Sequence, residues 1–403
     1  MNYSLPTASL PCCLLVQPYK GVTQPAMPQR TNARLKKFLI NMKNVKTYSL
    51  LTIFFFIASV SFSQKNKTKN IVIVTLDGMR WQEVFGGVDS LIMVNKSFTQ
   101  DSEHVAKNFW SNDANERREK LFPFLWNTVA NHGQLYGNRN ANSFVNVANP
   151  YRFSYPGYNE IFTGYPDTAV NSNDKILNKN ENVLEFINKQ KGYTGKVAAF
   201  STWDVFPYIL NKWRSNIYVN AGVDTLHFKS PSFQLLNDMQ FLAAEPIDVR
   251  LDINTYLAAK TYLKEFKPKV LYIAFDETDD FAHGALYDQY LKSAHAEDAM
   301  IADLWKTLQS MPEYKDKTTL IITCDHGRGN KVKEEWTSHG EKIADADQIW
   351  IAAIGPDTKP AGEVKDWQQV YQRQLATTFA ALLGFTFKPT HPVTAPIKTI
   401  LNK

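Results

Sequence analysis

Cysteine is nearly absent: the 403 residues contain three, Cys12, Cys13 and Cys324. That excludes a disulfide framework and any CxxC metal cluster. Cys324 ends an apolar run and reads as a buried, inert thiol. Acidic residues are missing before Asp77, whereas residues 1–63 carry Lys20, Arg30, Arg34, Lys36, Lys37, Lys43 and Lys46. Without that segment, 38 basic residues face 39 acidic ones. The formal charge of +6 therefore gives no ground for a nucleic-acid-binding patch on the body of the protein. There is no low-complexity tract, internal repeat or Gly/Ser linker. With 44% hydrophobic and 13% aromatic residues, a packed globular body is expected.

A long hydrophobic run is also lacking. The main one, Leu50 to Val60 in "MKNVKTYSLLTIFFFIASVSFSQ", is too short for a comfortable membrane span. Lys43 and Lys46 precede it, and Ser61 and Ser63 stand at −3 and −1 of a junction at Ser63/Gln64, the pattern of a secretory leader. The proline-rich stretch before it has no folding pattern. The expected start is Met42, residues 1–63 are an N-terminal extension plus leader, and residues 64–403 are the exported, folded chain without a membrane span. The sequence does not set an oligomeric state.

Short β-branched or apolar runs alternate with helical patterns through that body. "NIVIVTLDG" (70–78), "VLYIAFDETDD" (270–280) and "TTLIITCDHG" (318–327) each read as a buried strand ending in acid or histidine. "KVAAFST" (196–202) and "QIWIAAIG" (348–355) are further strands. Helices are expected over 117–131, over 285–310 with Tyr287, Leu291, Ala294 and Met300 on one face, and over 368–383 with Gly384 as cap. This alternation predicts a three-layer α/β/α sandwich around a mainly parallel sheet. Residues 205–265 read as an irregular cap or insert, and the polar stretch 86–115 as a second one. In such folds ligands gather beyond the carboxyl ends of the strands.

That edge collects unusual chemistry. Asp77 follows the first strand. Asp279 and Asp280 stand four and three residues before His283, so either carboxylate reaches its imidazole across one helical turn. Asp325 and His326 end another strand, and His339 precedes a glycine. Singly, an Asp-Gly is a turn, a lone histidine a satisfied polar group and an Asp pair a solvated surface. Together, three carboxylates and three histidines at strand ends suit Zn²⁺ or a related divalent ion, and their number suits two such ions. Ser154, in "YRFSYPGYNE", precedes a helix and reads either as an ordinary turn serine or, beside such ions, as a candidate nucleophile. Tyr155, Tyr158, Trp203 and Phe206 either stack on a substrate or pack the core.

These segments resemble, in order, the motifs of the alkaline phosphatase superfamily, in its type I phosphodiesterase/nucleotide pyrophosphatase branch. "VTLDGMRWQEVF" resembles that branch's strand with Asp-Gly-x-Arg. "FSYPGYNEIFTGYPD" resembles its nucleophile segment, and "DETDDFAHG" its Asp-x-x-x-His motif, which selects Asp279 over Asp280. "TCDHG" and "SHG" supply the remaining ligands. The resemblance spans about 70–390 and implies an alkaline phosphatase-like catalytic domain. It implies one metal on Asp77, Asp325, His326 and the Ser154 oxygen, and another on Asp279, His283 and His339, both zinc or, in some relatives, manganese. The implied activity is hydrolysis of a small phosphate ester through a phosphoserine. A phosphodiesterase is expected first; a phosphomonoesterase or phosphotransferase is the alternative, and a sulfatase-like or non-catalytic binding protein a distant one. Tyr158 stands where sulfatase maturation needs arginine. Gly157 and Tyr158 replace the branch's Asn-His, and either Asn171 or Asn173 fills the place of its phosphoryl-contacting asparagine.

Overall fold

Every residue of β1 (Asn70–Leu76) is buried, as a strand covered by helices on both faces must be. It lies at the centre of the parallel part of an eight-stranded sheet, between β6 (Val270–Phe275) and β7 (Thr318–Thr323). Beyond β6 come β4 (Val197–Ser201) and the edge strand β5 (Tyr218–Ala221), all parallel. Beyond β7 lies β9 (Ile351–Ile354), which runs antiparallel, followed by β2 (Gln134–Tyr136) and β10 (Gly362–Glu363). A smaller sheet joins β11 (Gln368–Tyr371), β3 (Ser143–Asn146) and β8 (Gln348–Ile349). This computed structural model describes residues 66–243 and 249–401. The leader and extension expected at 1–63, with Met42 and the Ser63/Gln64 junction, lie outside the described residues. Lys65–Lys403 forms one compact unit, and no described helix is long and apolar enough to cross a membrane. The mainly parallel α/β sheet matches the sequence expectation.

Three expected elements differ, each for a physical reason. The helix expected over 117–131 breaks after Leu121, because Pro123 cannot continue the hydrogen-bond ladder. The chain resumes as a π-turn over Leu125–Val129. Its leading N–H groups, from Phe124 and Leu125, donate to the Asp298 carboxylate at 2.7 and 3.1 Å. The strand expected over 348–355 is two, because Trp350 carries the chain from the small sheet to the large one. Its fully buried indole donates to Met79 O at 3.0 Å. The helix expected over 368–383 starts as β11; only Leu375–Leu382 is α-helical. It closes at Gly384, whose φ is +83°. The N–H groups of Phe385 and Gly384 donate to Ala380 O and Ala381 O at 2.9 and 3.0 Å, a Schellman ending.

Two stretches are more regular than expected. Residues 86–115 form short helices over Ser90–Val94 and Ser102–Phe109, and none of these residues lines the cavity beside Ser154. Within 205–265, Tyr218–Ala221 is the sheet's edge strand and Asp252–Phe266 is a 15-residue helix. The helix expected at 285–310 spans Tyr287–Ser310. Its buried face runs through Tyr287, Leu291, Ala294, Glu297 and Ile301, and Met300 sits at the margin.

Candidate metal centre

The registers of the parallel strands decide which chain ends meet. Leu76 pairs with Phe275 and Thr75 with Thr323, so Asp77, Asp276 and Asp325 leave adjacent strands side by side. With strands about 4.8 Å apart, side chains at those ends must touch. A short helix, Glu277–His283, follows β6 and carries Asp279 and His283 four residues apart on one face. His339 arrives on the loop after a 3₁₀ turn at Lys333–Thr337.

The result is two clusters of three. Asp77, Asp325 and His326 form a fully buried one, and Asp279, His283 and His339 a more open one. In the first, one oxygen of each carboxylate has a protein donor. Tyr158 Oη donates to Asp77 Oδ2 at 2.8 Å and Gly78 N to Asp325 Oδ1 at 3.1 Å. The other oxygens, Asp77 Oδ1 and Asp325 Oδ2, are buried without a hydrogen bond, 3.3 and 3.4 Å from His326 Nε2. His326 Nδ1 lies 3.0 Å from Gly327 O, which only accepts, so Nδ1 carries a proton and Nε2 is left for the site. Buried acceptors without donors are costly, and a divalent cation among them removes that cost. In the second cluster, Asp279 Oδ2 is 3.2 Å from His283 Nε2, which is 2.9 Å from His339 Nε2. Two imidazole nitrogens this close need a proton or cation between them. The donor set of both clusters thus fits divalent ions with mixed N/O ligation.

Without a cation, a proton on His326 Nε2 takes its place between the carboxylates. Burial resists the charged form of His326, yet Asp325 and then Asp77 outweigh it and hold the imidazole at about 9. Burial, followed by the His326 charge, pushes His339 down to about 2. Burial, reinforced by Asp77, raises the Asp325 carboxyl well above its usual range. Burial also acts to raise Asp279, but Arg328, then His283, more than offsets it and keeps that carboxyl well below the usual range. Arg328, fully buried, donates Nη2 to Asp279 O at 3.1 Å and also to Asp279 Oδ1. Gly78, at φ +57°, leaves this approach open: a Cβ there would lie 2.6 Å from Asp279 Oδ1 and 2.8 Å from Arg328 Nε.

Ser154 is the first residue of a ten-residue, wholly buried helix, α1 (Ser154–Thr163). Its Oγ is 3.5 Å from His326 Nε2. The turn before it is shaped by Asn149 Oδ1, which accepts from Tyr151 N and Arg152 N at 3.1 and 2.9 Å, with Arg152 at φ +57°. Glu160 ties α1 down by accepting from Ala148 N, Asn149 N and Arg373 N. The helix start offers fewer free donors than a helix end usually does. Pro156 has no N–H, and Tyr155 N donates to Asn173 Oδ1 at 3.0 Å.

Ser154, Asn173 and the Asp279 cluster line a cavity of about 390 Å³. Thr202, Trp203, Gly222, Val223, Val249 and Arg250 form its other wall, so both the β4 loop and the 205–265 stretch border the site. Of the two asparagines, Asn173 lines this cavity and Asn171 a separate one. Tyr155, Tyr158 and Phe206 are buried, with Tyr158 and Phe206 ring centroids 4.6 Å apart. Of the four aromatics, only Trp203 lines the cavity.

The contacts of several neighbours with the site escaped sequence reasoning. Arg328 carries no spacing signal, because it reaches Asp279 only through the fold. Tyr158 was readable in principle, since it stands four residues after Ser154 and so shares its helix face. Gln372, which donates Nε2 to Cys324 O and Asp325 O at 3.1 and 2.7 Å, lies too far along the chain for any motif.

A family model of type I phosphodiesterase/nucleotide pyrophosphatase matches residues 85–374, with Asp77 just ahead of the matched span. No curated protein sequence matches the chain. Among solved structures, the wild-type alkaline phosphatase PafA is similar at a TM-score of 0.55 and 10% identity, covering 84% of this chain and 99% of that one. A putative sulfatase from Bacteroides thetaiotaomicron aligns at 0.55 and 14%, over 83% and 74% of the two chains. The lipoteichoic acid synthase LtaP from Listeria monocytogenes aligns at 0.53 and 14%, over 83% and 76%. At these identities the likeness concerns the fold.

Proposed function

The chain belongs to the type I phosphodiesterase/nucleotide pyrophosphatase family of the alkaline phosphatase superfamily, and from that premise we propose that it is an exported, two-metal hydrolase of small phosphate esters that favours diesters. The observation that carries the reading is the paired ligand clusters flanking Ser154. Asp77, Asp325, His326 and the Ser154 oxygen would hold one ion, and Asp279, His283 and His339 the other. Zinc suits these donors best, with manganese the alternative. Residues 64–403 act as one catalytic domain, with 205–265 contributing a wall of the cavity.

Bound ions supply the lowered pKa that turns a serine hydroxyl into a nucleophile, and charge to balance the developing oxyanions. The protein's own residues do the rest. Ser154 Oγ, fixed by the buried start of α1, attacks phosphorus in line. The leaving alcohol departs on the side of Asp279, His283 and His339, where the cavity has room for it beside Trp203. Water then cleaves the phosphoserine from the vacated side, so two inversions give net retention at phosphorus. Asn173 lines the cavity and its Oδ1 accepts from Tyr155 N, which supports it over Asn171 as the asparagine that would contact a phosphoryl oxygen.

Ser154→Ala is expected to keep two zinc ions per chain and lose turnover of bis-p-nitrophenyl phosphate by at least ~10³-fold. Near-normal turnover in that variant would refute the covalent mechanism. The same assay run with p-nitrophenyl phosphate and p-nitrophenyl sulfate separates the diesterase from the monoesterase or sulfatase alternatives.

A further inference from the structure

Resting on the two-metal reading above, we propose that the Gly157-Tyr158 pair is a clamp for the buried ligand cluster, in which Tyr158 is the positioning residue of Asp77. In the sequence this pair stood out as a departure beside the nucleophile, in place of the branch's Asn-His. The geometry gives it a role. Tyr158 is 0% exposed and does not line the cavity, so it cannot touch substrate.

Its hydroxyl instead donates to Asp77 Oδ2 at 2.8 Å. That bond divides the labour of the carboxylate: Oδ2 is occupied, and Oδ1 is left without a donor, 3.3 Å from His326 Nε2. Thr278 Oγ1 fixes the backbone of the same residue by donating to Asp77 O at 2.7 Å. With main chain and one oxygen both held, the carboxylate is left with one orientation. A neutral hydroxyl does this without spending the negative charge that a cation would need, which an arginine in its place would do.

Gly157 is the other half. A Cβ at this position would sit 2.5 Å from Asp325 O, so its absence lets α1 press against the end of β7. Asp325 O is held from the other side by Gln372 Nε2 at 2.7 Å. Residues 154, 157 and 158 share one helical face. A single helix thereby presents the nucleophile, makes room for one buried carboxylate and orients the other. Positions that orient metal ligands in this way typically change metal affinity by roughly 10–100-fold when altered.

The test is Tyr158→Phe, with Tyr314→Phe as the control for losing a buried tyrosine hydroxyl: Tyr314 Oη donates to Pro268 O at 2.7 Å, away from the site. Zinc affinity is measured by chelator competition, alongside the visible spectrum of the cobalt-substituted proteins and the split between kcat and KM. Tyr158→Phe is expected to bind one of its two zinc ions about 10–100-fold more weakly, to alter the cobalt spectrum, and to lower kcat with KM within about threefold. Tyr314→Phe should change none of these. Tyr158→His, which keeps a ring donor, should recover part of the loss and also reports on the clamp should the phenylalanine variant fail to fold. Wild-type metal affinity and cobalt spectrum in Tyr158→Phe, or a histidine variant no better than phenylalanine, overturns the clamp while leaving the two-metal reading intact. A wild-type protein that binds no divalent metal overturns both.

Discussion

Replacing Gly157 with alanine sets two magnitudes against each other. Gly157 lies inside α1, where local propensity alone favours alanine over glycine by about 0.8–1.0 kcal/mol. The tertiary contact says the opposite. The new Cβ would stand 2.5 Å from Asp325 O, 3.0 Å from its carbonyl carbon and 3.2 Å from its Cβ, where ordinary contacts begin at 3.4 Å. Something must therefore yield by roughly 1 Å, an overpacking cost of about 1–3 kcal/mol. The Asp325 backbone is poorly placed to move, being bonded to Gln372 and set at the end of a central strand. The helix moves instead, carrying Ser154 and Tyr158 with it. Misplacing a reacting group by about 1 Å costs on the order of 10²-fold in rate. The expected outcome is a kcat/KM for bis-p-nitrophenyl phosphate about 100-fold below wild type, with a Tm lowered by a few degrees. A variant with full activity and an unchanged or raised Tm, as helix propensity alone demands, refutes the reasoning.

Metal-free protein should be less stable at pH 9 than at pH 6.5. The imidazolium of His326 is favoured in the fold, held at about 9 against an ordinary 6.5, so its contribution is complete below 6.5 and lost as pH rises through about 9. That loss is worth up to about 3 kcal/mol, and Asp325, raised by burial and Asp77, acts in the same direction. Zinc competes with the proton, so its stabilising effect should grow over that range; melting curves with and without zinc at both pH values check this, and a zinc effect that shrinks with pH contradicts it. Gly78→Ala, at φ +57° with its Cβ 2.6 Å from Asp279 Oδ1, should cost about 1–3 kcal/mol and weaken zinc binding, as thermal melts and chelator competition will show. Asp298→Ala strips the acceptor from Phe124 N and Leu125 N; it should lower stability by about 1–3 kcal/mol and leave zinc content and turnover unchanged.

Most of the candidate ligand set was legible because it obeys local rules. Acid and histidine at the ends of apolar runs mark the functional edge of a parallel sheet, and Asp279 with His283 needs only the period of a helix. The elements misjudged at their boundaries were those whose limits depend on distant partners. Residues 117–131 carry a helical pattern, but Pro123 divides it, and the second half is sustained by Asp298 from another helix. Residues 348–355 read as one strand because Trp350 is as apolar as its neighbours. Only the presence of two sheets makes it a crossing point.

Local sequence therefore determined the class of fold, the strands that bear the site and the residue types that would meet there, since hydrophobic period and strand-end chemistry need no long-range information. The tertiary structure decided the rest. Strand order set Asp77 between Asp276 and Asp325, burial left two carboxylate oxygens without donors, and chain crossings brought Arg328 to Asp279 and Gln372 to Asp325. The face of α1 turned Gly157 and Tyr158 from an unexplained departure into contacts with two buried aspartates. These are matters of distance between residues remote in sequence, and only packing assigns distances of that kind.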